Sequence, residues 1–564
     1  MRDVGFVKKR IVRRKPSTEE GGTLLERLFA LRGISNPSEL DHGLAGMLPP
    51  SSLKNLEIAA DLVAKHLHLN SKILIVGDFD ADGATSCALM VSALTAMGAV
   101  GVEYLVPDRF RYGYGLTPEI VEVAFARSPD LIITVDNGIA SIDGVNRANA
   151  LGIQVLVTDH HLPGGTLPDA ETILNPNQPG CEFASKALAG VGVAFYLLIG
   201  LRQNLRASGW FEQRLEPNLA EFLDLVALGT IADVVPMDQN NRRLVSEGLK
   251  RIRAGRCRPG LAALLAVSGI DPKQVASRDL AFFVGPRLNA AGRLEDMTIG
   301  IECLMADDHS APALAMQLDD LNSQRKDIEA DMREEAMHAL KTLSLKDQQT
   351  AGLCFYRPDW HQGIVGIVAS RIKDKSHRPV IAFARVGENE LKGSGRSIQG
   401  FHMRDALDLI ATRHQGLLTK FGGHAMAAGL TLRESDFESF SAAFDEVVRE
   451  TLGEASIEQV VITDGELGQP PTLQLAKDIV DAAPWGQGFP EPEFDDKFEI
   501  LSQRIVGSAH LKLLLQPTEG PPIDAICFNQ GLTVDGRYVR CAYRLDINRY
   551  RGAEKPQLIV SLIQ

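Results

Sequence analysis

KILIVGDFDADGATS, residues 72–86, reads as a buried β-branched strand (KILIVG, 72–77) running straight into a cluster of acids. Asp78, Asp80 and Asp82 stand two apart, and a helix-like stretch, Ala84–Met97, follows. The same grammar recurs in LIITVD (131–136) and VLVTDHH (155–161), with another helical stretch, Asp143–Leu151, between them. Strand, polar turn and helix in alternation imply an α/β fold built on a parallel sheet with helices on both faces. In such sheets ligands collect beyond the carboxyl ends of the strands, where these polar residues sit.

The segment Asp78–Gly83 also fits the opening of a calcium loop, but such a loop needs a Glu at position twelve and an entering helix. Here position twelve is Leu89 and a strand enters. A single DxD turn is often only solvated. Three acids this close repel one another unless cations or hydrogen bonds intervene, and further acids and imidazoles close other apolar runs: Asp136, then Asp159, His160 and His161, and Asp233 in ADVVP. Buried Asp is rare unless paired. Oxygen-rich ligands with one or two imidazoles suit Mg²⁺ or Mn²⁺. The ligands outnumber the needs of one ion, so two are expected, about 3.5–4 Å apart and sharing a carboxylate.

Around this core, 564 residues imply several domains. After a helical region at 187–275, Ala311–Leu340 reads as one helix of ~45 Å, long enough to connect domains. A second α/β unit follows at 346–452, and short strands from about Val460 onward (VVITDG, EFDDKFEIL, HLKLLLQ, AICFN, RCAYRLDI, QLIVSLI) suggest an OB-like β-barrel. Seven scattered cysteines without a CxxC pair argue against a zinc ribbon or disulfide framework and fit a cytoplasmic protein. No apolar run approaches a membrane span, and the basic start MRDVGFVKKRIVRRK lacks the apolar core of a secretory signal. A net charge of −13 does not exclude nucleic acid, because phosphate contacts depend on local patches.

GDFDADG, VDNG, the DHH triplet 159–161 and ADVVP, in this order and spacing, resemble the four metal-binding motifs of the DHH phosphoesterases. GPRLNAAGRL (285–294), KGSGRS (392–397), FGGHAMAAGL (421–430), PWGQGFPEPEF (484–494) and YRLDINRYRG (543–552) are similar to motifs of that superfamily's single-stranded-DNA exonuclease branch. The resemblance implies an N-terminal extension (1–50), a DHH catalytic domain (51–240), a helical connector including the long helix (241–345), a DHH-associated α/β domain (346–452) and an OB-fold-like nucleic-acid-binding domain (453–564). It further implies a metal-dependent 5′-to-3′ exonuclease that hydrolyses single-stranded DNA to mononucleotides in recombination and repair. Single-stranded-DNA-binding protein and a repair helicase would be its partners, and the chain would be a monomer with no membrane attachment.

By the same resemblance Asp80 and Asp136 would hold the first metal, with Asp136 bridging, and Asp82, His160 and Asp233 would complete the second. His161 would act beside the scissile phosphate; its plainer reading is a core histidine. Many DHH enzymes carry a His four residues before the first ligand aspartate, where this chain has Val76. Either Asp78 fills that gap or the site keeps extra water, and the lost imidazole shifts preference toward Mg²⁺. Arg109, Ser394 and Arg396 match a 5′-phosphate pocket, with Gly393 and Gly395 forming a turn around the serine. Arg287, Asn289 and Arg293 would bind phosphates next to the cleaved bond, unless GPRLNAAGRL is a helix-capping loop. His424 would touch DNA or buttress the second domain. Tyr112, Tyr114, Trp485, Phe528, Tyr543 and Tyr550 are available for base stacking, although aromatics in β-rich segments more often fill a core. A small-molecule DHH phosphoesterase would lack the C-terminal strands, and a non-catalytic relative would lack the metal ligands.

Overall fold

Five strands form the sheet predicted from the opening motif: Lys72–Gly77 (β1), Gly101–Leu105 (β2), Leu131–Val135 (β3), Gln154–Thr158 (β4) and Thr172–Leu174 (β5), ordered β2-β1-β3-β4-β5 and all parallel. The computed structural model describes residues 9–15, 22–108, 110–342, 350–453, 459–507, 509–550 and 552–564. Both faces of the sheet are buried, as its unbroken Ile/Leu/Val runs require. On one face lie Ala81–Ala96 (α1), Gly190–Ala207 (α2) and Leu223–Ala232 (α3), each rich in fully buried residues. Register aligns the strand ends: Gly77 of β1 pairs with Val135 of β3, and Val135 pairs with Thr158 of β4. The residues that follow, Asp78–Asp82, Asp136 and Asp159–His161, therefore emerge side by side on one edge.

GPRLNAAGRL, weighed above as a capping loop, is the helix Gly285–Leu294 (α4), entered through a π-helical turn at Leu280–Val284. Ala311–Thr342 (α5) is one helix of 32 residues, about 48 Å long. The chain divides into two compact units. The larger takes Arg14–Asn322 and Asp464–Val560; the smaller takes Ser323–Thr463 with the two chain ends. The boundary between them falls inside α5.

The smaller unit holds a second sheet, from Leu353–Arg357 (β6), Val380–Arg385 (β7), Glu390–Arg396 (β8), Lys420–Gly423 (β9) and Ala427–Arg433 (β10), ordered β9-β10-β8-β7-β6. KGSGRS, expected to turn, instead lies mainly in β8, paired on both sides. Its glycines answer to packing: a Cβ on Gly393 would lie 2.5 Å from the Phe383 ring, and one on Gly395 3.1 Å from Met403 Sδ. VVITDG, expected in the barrel, contributes to a strand, Gln459–Thr463, that pairs in parallel with Lys9–Arg13.

The barrel itself closes from Phe494–Val506 (β11), His510–Gln516 (β12), Ile523–Cys527 (β13), Tyr538–Tyr550 (β14) and Ala553–Ile563 (β15), in the order β11-β12-β13-β15-β14. It belongs to the larger unit, except for the last residues of β15. The N-terminal segment also packs there. Phe29 stacks on Trp485 at 5.9 Å, Trp485 stacks on Phe489 at 5.2 Å, and Arg32 pairs with Asp464 at 2.8 Å. Trp485 and Tyr543, expected as stacking platforms, are buried at 4% and 1% exposure. Tyr543 gives its hydroxyl hydrogen to Asp496. Both serve the core. Phe528 is exposed, and the Tyr550 side chain lies outside the described residues.

Candidate metal centre

Asp80 caps α1, its Oδ1 accepting from the N–H groups of Asp82 and Gly83 at 3.0 Å each. That bond explains why a DxD run starts a helix here. Within the first turn, Asp82 reaches across to the start of α2, where Oδ2 accepts from Gly190 N–H at 2.6 Å and Oδ1 from Val191 N–H at 2.9 Å. Asp136 follows β3 with φ +61 and Val234 follows Asp233 with φ +60, left-handed conformations that store strain outside glycine. Asp233 itself caps the carboxyl end of α3.

Three groups of ligand atoms converge, each with all its atoms within 4.8 Å of one another: Asp78, Asp80 and Asp136; Asp82, His160 and Asp233; Asp136, His160 and His161. His160 Nε2 lies 3.0 Å from Asp136 Oδ1 and 3.4 Å from Asp233 Oδ2, yet none of these three atoms makes a hydrogen bond among the described residues. Buried polar atoms that crowd together without bonding have the arrangement of donors facing a common cation.

The electrostatics agree. Burial, then the charge of Asp80, pushes Asp82 up from the ordinary carboxylate value to about 7. Burial, then Asp82 and Asp80, raises both Asp136 and Asp233 far above theirs. Burial, then the neighbouring His161, depresses His160 to about 4, so its imidazole is neutral and able to ligate. His161 moves the other way. Burial opposes its charge, but the hydrogen bond and charge of Asp159, with Asp78 and Asp80 beyond, outweigh that and raise it.

Asp159 is the group that orients this pair. Its Oδ1 lies 2.7 Å from His161 Nδ1 and accepts from the His160 and His161 backbone N–H groups, while Oδ2 accepts from Ile139 N–H. The Tyr114 hydroxyl sits 3.2 Å from His161 Nδ1 and 3.3 Å from the Asp136 carbonyl. Asp159 was legible only as part of the DHH triplet, and nothing in the sequence placed Tyr114 here.

The other expected residues fall as follows. Asn289 on α4 accepts from Ala81 N–H at 2.9 Å, which seats that helix on the acidic loop. Arg287 is 8% exposed and gives hydrogen bonds to Asp319 Oδ1 and the Phe283 carbonyl, so most of its guanidinium is engaged within the protein. Arg293 lies on the same helix. In the smaller unit, Arg396 Nη1 donates to Ser394 Oγ at 2.9 Å, and both side chains lie against Gly366. His424 is at the turn between β9 and β10, its backbone N–H donating to the Ala427 carbonyl. Arg109 lies outside the described residues. Val76 is fully buried at the end of β1. Among the described residues no helix is long and apolar enough to cross a membrane.

Residues 72–230 match the DHH family, N-terminal domain; 349–450 match the DHHA1 domain; 464–561 match the RecJ OB domain. The chain is 53% identical to the single-stranded-DNA-specific exonuclease RecJ of Dickeya dadantii, over 97% of this chain and 98% of that one. The crystal structure of RecJ from Thermus thermophilus in complex with Mn²⁺ superposes with a TM-score of 0.81 at 31% identity, covering 100% of this chain and 80% of that one. The same protein in complex with Mg²⁺ gives 0.76 at 29%, covering 99% and 78%. With such identity along almost the whole of both sequences, this chain belongs to the RecJ family of DHH exonucleases.

Proposed function

We propose that this protein degrades single-stranded DNA from the 5′ end, releasing mononucleotides, with two Mg²⁺ or Mn²⁺ ions at the converging acids. The observation that carries the reading is the unbonded meeting of Asp136 Oδ1, His160 Nε2 and Asp233 Oδ2. Asp78, Asp80 and Asp136 would hold one ion, with Asp78 in the place of the imidazole lost at Val76. Asp82, His160 and Asp233, with Asp136 beside them, would hold the other. When bound, divalent cations supply an acidified water and charge stabilisation for in-line displacement at phosphorus.

The chain's own groups handle the rest. Asp82 is fixed by two N–H donors, so its remaining lone pairs point one way. Asp159 is acceptor-only, which makes His161 Nδ1 the donor between them and turns Nε2 to the substrate. As the water oxygen joins phosphorus and gives its proton up to solvent, the P–O3′ bond breaks and the departing 3′ oxygen takes the Nε2 proton of the His161 imidazolium, the form that Asp159 favours. Arg293 and Arg287 stabilise the neighbouring phosphates, Arg287 with the donors its internal bonds leave. Ser394 and Arg396 of the smaller unit offer a hydroxyl and a guanidinium fork to the 5′-phosphate; Arg109 is assigned the same ligand from the sequence alone, and His424 and Asn289 are assigned to strand contact. The domain limits given above, a cytoplasmic location consistent with seven free thiols, a monomeric state, and partnership with single-stranded-DNA-binding protein and a repair helicase belong to the same proposal.

Purified protein given 5′- or 3′-labelled single strands and matching duplexes, with Mg²⁺, Mn²⁺ or chelator, tests it. Mononucleotides are expected from the 5′ ends of single strands only, none with chelator, and at least ~10²-fold less from Asp136→Ala. Equal digestion from both ends refutes the polarity.

A further inference from the structure

The π-helical turn ahead of α4 presents two phenylalanines to solvent: Phe282 is 71% exposed and Phe283 40%, between Leu280 and Val284, which are fully buried. The exposure is built in. Arg287 Nη1 donates to the Phe283 carbonyl at 2.7 Å while its Nε and Nη2 hold Asp319. Upstream, Ser277 donates to the Trp485 carbonyl and Arg278 pairs with Asp546. The turn is anchored at both ends, with Leu280 and Val284 filling the core side. Paired aromatics left in water forgo the burial that usually holds such side chains inside, and π-turns recur at functional sites.

The turn also stands beside the metal centre. A Cβ on Gly285 would lie 3.2 Å from that of Ala232, the residue before Asp233, and Asn289 one turn on bonds the acidic loop at Ala81. Val234, which follows Asp233, is itself 62% exposed.

We infer that Phe282 and Phe283 form a stacking platform that grips nucleobases of the single strand next to the phosphodiester being cleaved. The inference rests on the function proposed above. The turn adjoins the residue before Asp233, which sets its rings in the neighbourhood of a strand whose linkage reaches that carboxylate; every base offers a π-face, so such a platform holds a strand without reading its sequence. It supplies what metals and phosphate contacts cannot, a preference for a strand that carries bases.

The test compares oligothymidylate with an abasic strand of the same length, on the wild type and on the Phe282→Ala/Phe283→Ala double variant. Binding is followed by fluorescence anisotropy in chelator, and kcat/KM is measured with Mn²⁺. Loss of one stacked base is expected to weaken the thymidylate by roughly 5- to 150-fold, leave the abasic strand unchanged, and be rescued by Phe282→Trp/Phe283→Trp. A double variant that keeps the preference for thymidylate overturns the platform. So does an equal loss on both strands, which would report a distorted metal centre, or a wild-type dimer that the alanines dissociate with the preference intact. Wild type that cleaves neither strand overturns the functional reading instead, and the anisotropy arm still decides the platform.

Discussion

Gly190, the first residue of α2, touches the metal centre more closely than any side chain could. A Cβ placed there would lie 2.6 Å from Asp136 Cβ and 2.8 Å from its Oδ1, against an ordinary carbon contact of about 3.5–4.0 Å. Gly190→Ala must therefore move something by about 1 Å. Asp136 is pinned at the end of a central strand with φ +61. The alternative is to lift the first turn of α2, which breaks the N–H bonds of Gly190 and Val191 to Asp82. Overpacking costs about 1–3 kcal/mol, and alanine in a helix recovers about 0.5–1, so the fold loses roughly 0–2.5 kcal/mol and survives. Catalysis does not: a misplacement of about 1 Å at reacting groups costs ~10²-fold. Thermal melts with and without Mn²⁺, beside single-turnover cleavage of a 5′-labelled strand, separate the two effects. Gly192→Ala is the control, because its Cβ meets only the flexible end of Leu188 at 3.1 Å, and its activity should stay close to wild type. Gly190→Ala cleaving within about threefold of wild type, where ~10² is expected, would refute the argument.

Asp82 sets a pH dependence on the metal-free protein. Its folded-state pKa, about 7, lies above the ordinary 3.8, so its favourable contribution is whole below about pH 4 and lost as pH rises through 7. In chelator the melting temperature should fall between about pH 5 and 8, Mn²⁺ should remove the fall, and Asp82→Asn should reduce it, the raised Asp136 and Asp233 supplying the remainder; an equally stable chelated wild type at both ends contradicts the assignment. The ion pair of Arg32 and Asp464, whose side chains are each 1% exposed, predicts a loss of about 3–5 kcal/mol for Arg32→Ala, because a buried charge is left with too few partners. Arg32→Met with Asp464→Leu should recover much of it, and chemical denaturation of the three proteins decides.

The metal centre was legible because its ligands end apolar strands, and strand ends in a parallel sheet share one edge by register. Asp233 was found the same way although its apolar run is a helix. What stayed hidden depends on partners far along the chain. Nothing local to GPRLNAAGRL announces that Arg287 bonds Asp319, and nothing local to KGSGRS shows that Gly393 and Gly395 yield space to Phe383 and Met403. A glycine-rich run reads as a turn when the crowding that demands it comes from other strands. Trp485 and Tyr543 looked available for the same reason, their cover being supplied by Phe29, Asp496 and the closed barrel.

The stacked ring of Phe29 and the guanidinium of Arg32 wait on residues 432 to 458 positions downstream. At about 5–20 residues per second of synthesis, the segment that carries Phe29 and Arg32 is made roughly 20–90 s before Asp464 exists. During that interval Phe29 lacks its stacking rings and Arg32 its counter-charge, so a holding chaperone, or some temporary partner, has its natural opportunity there, and transcripts cut short before the barrel would yield chains that never gain these contacts.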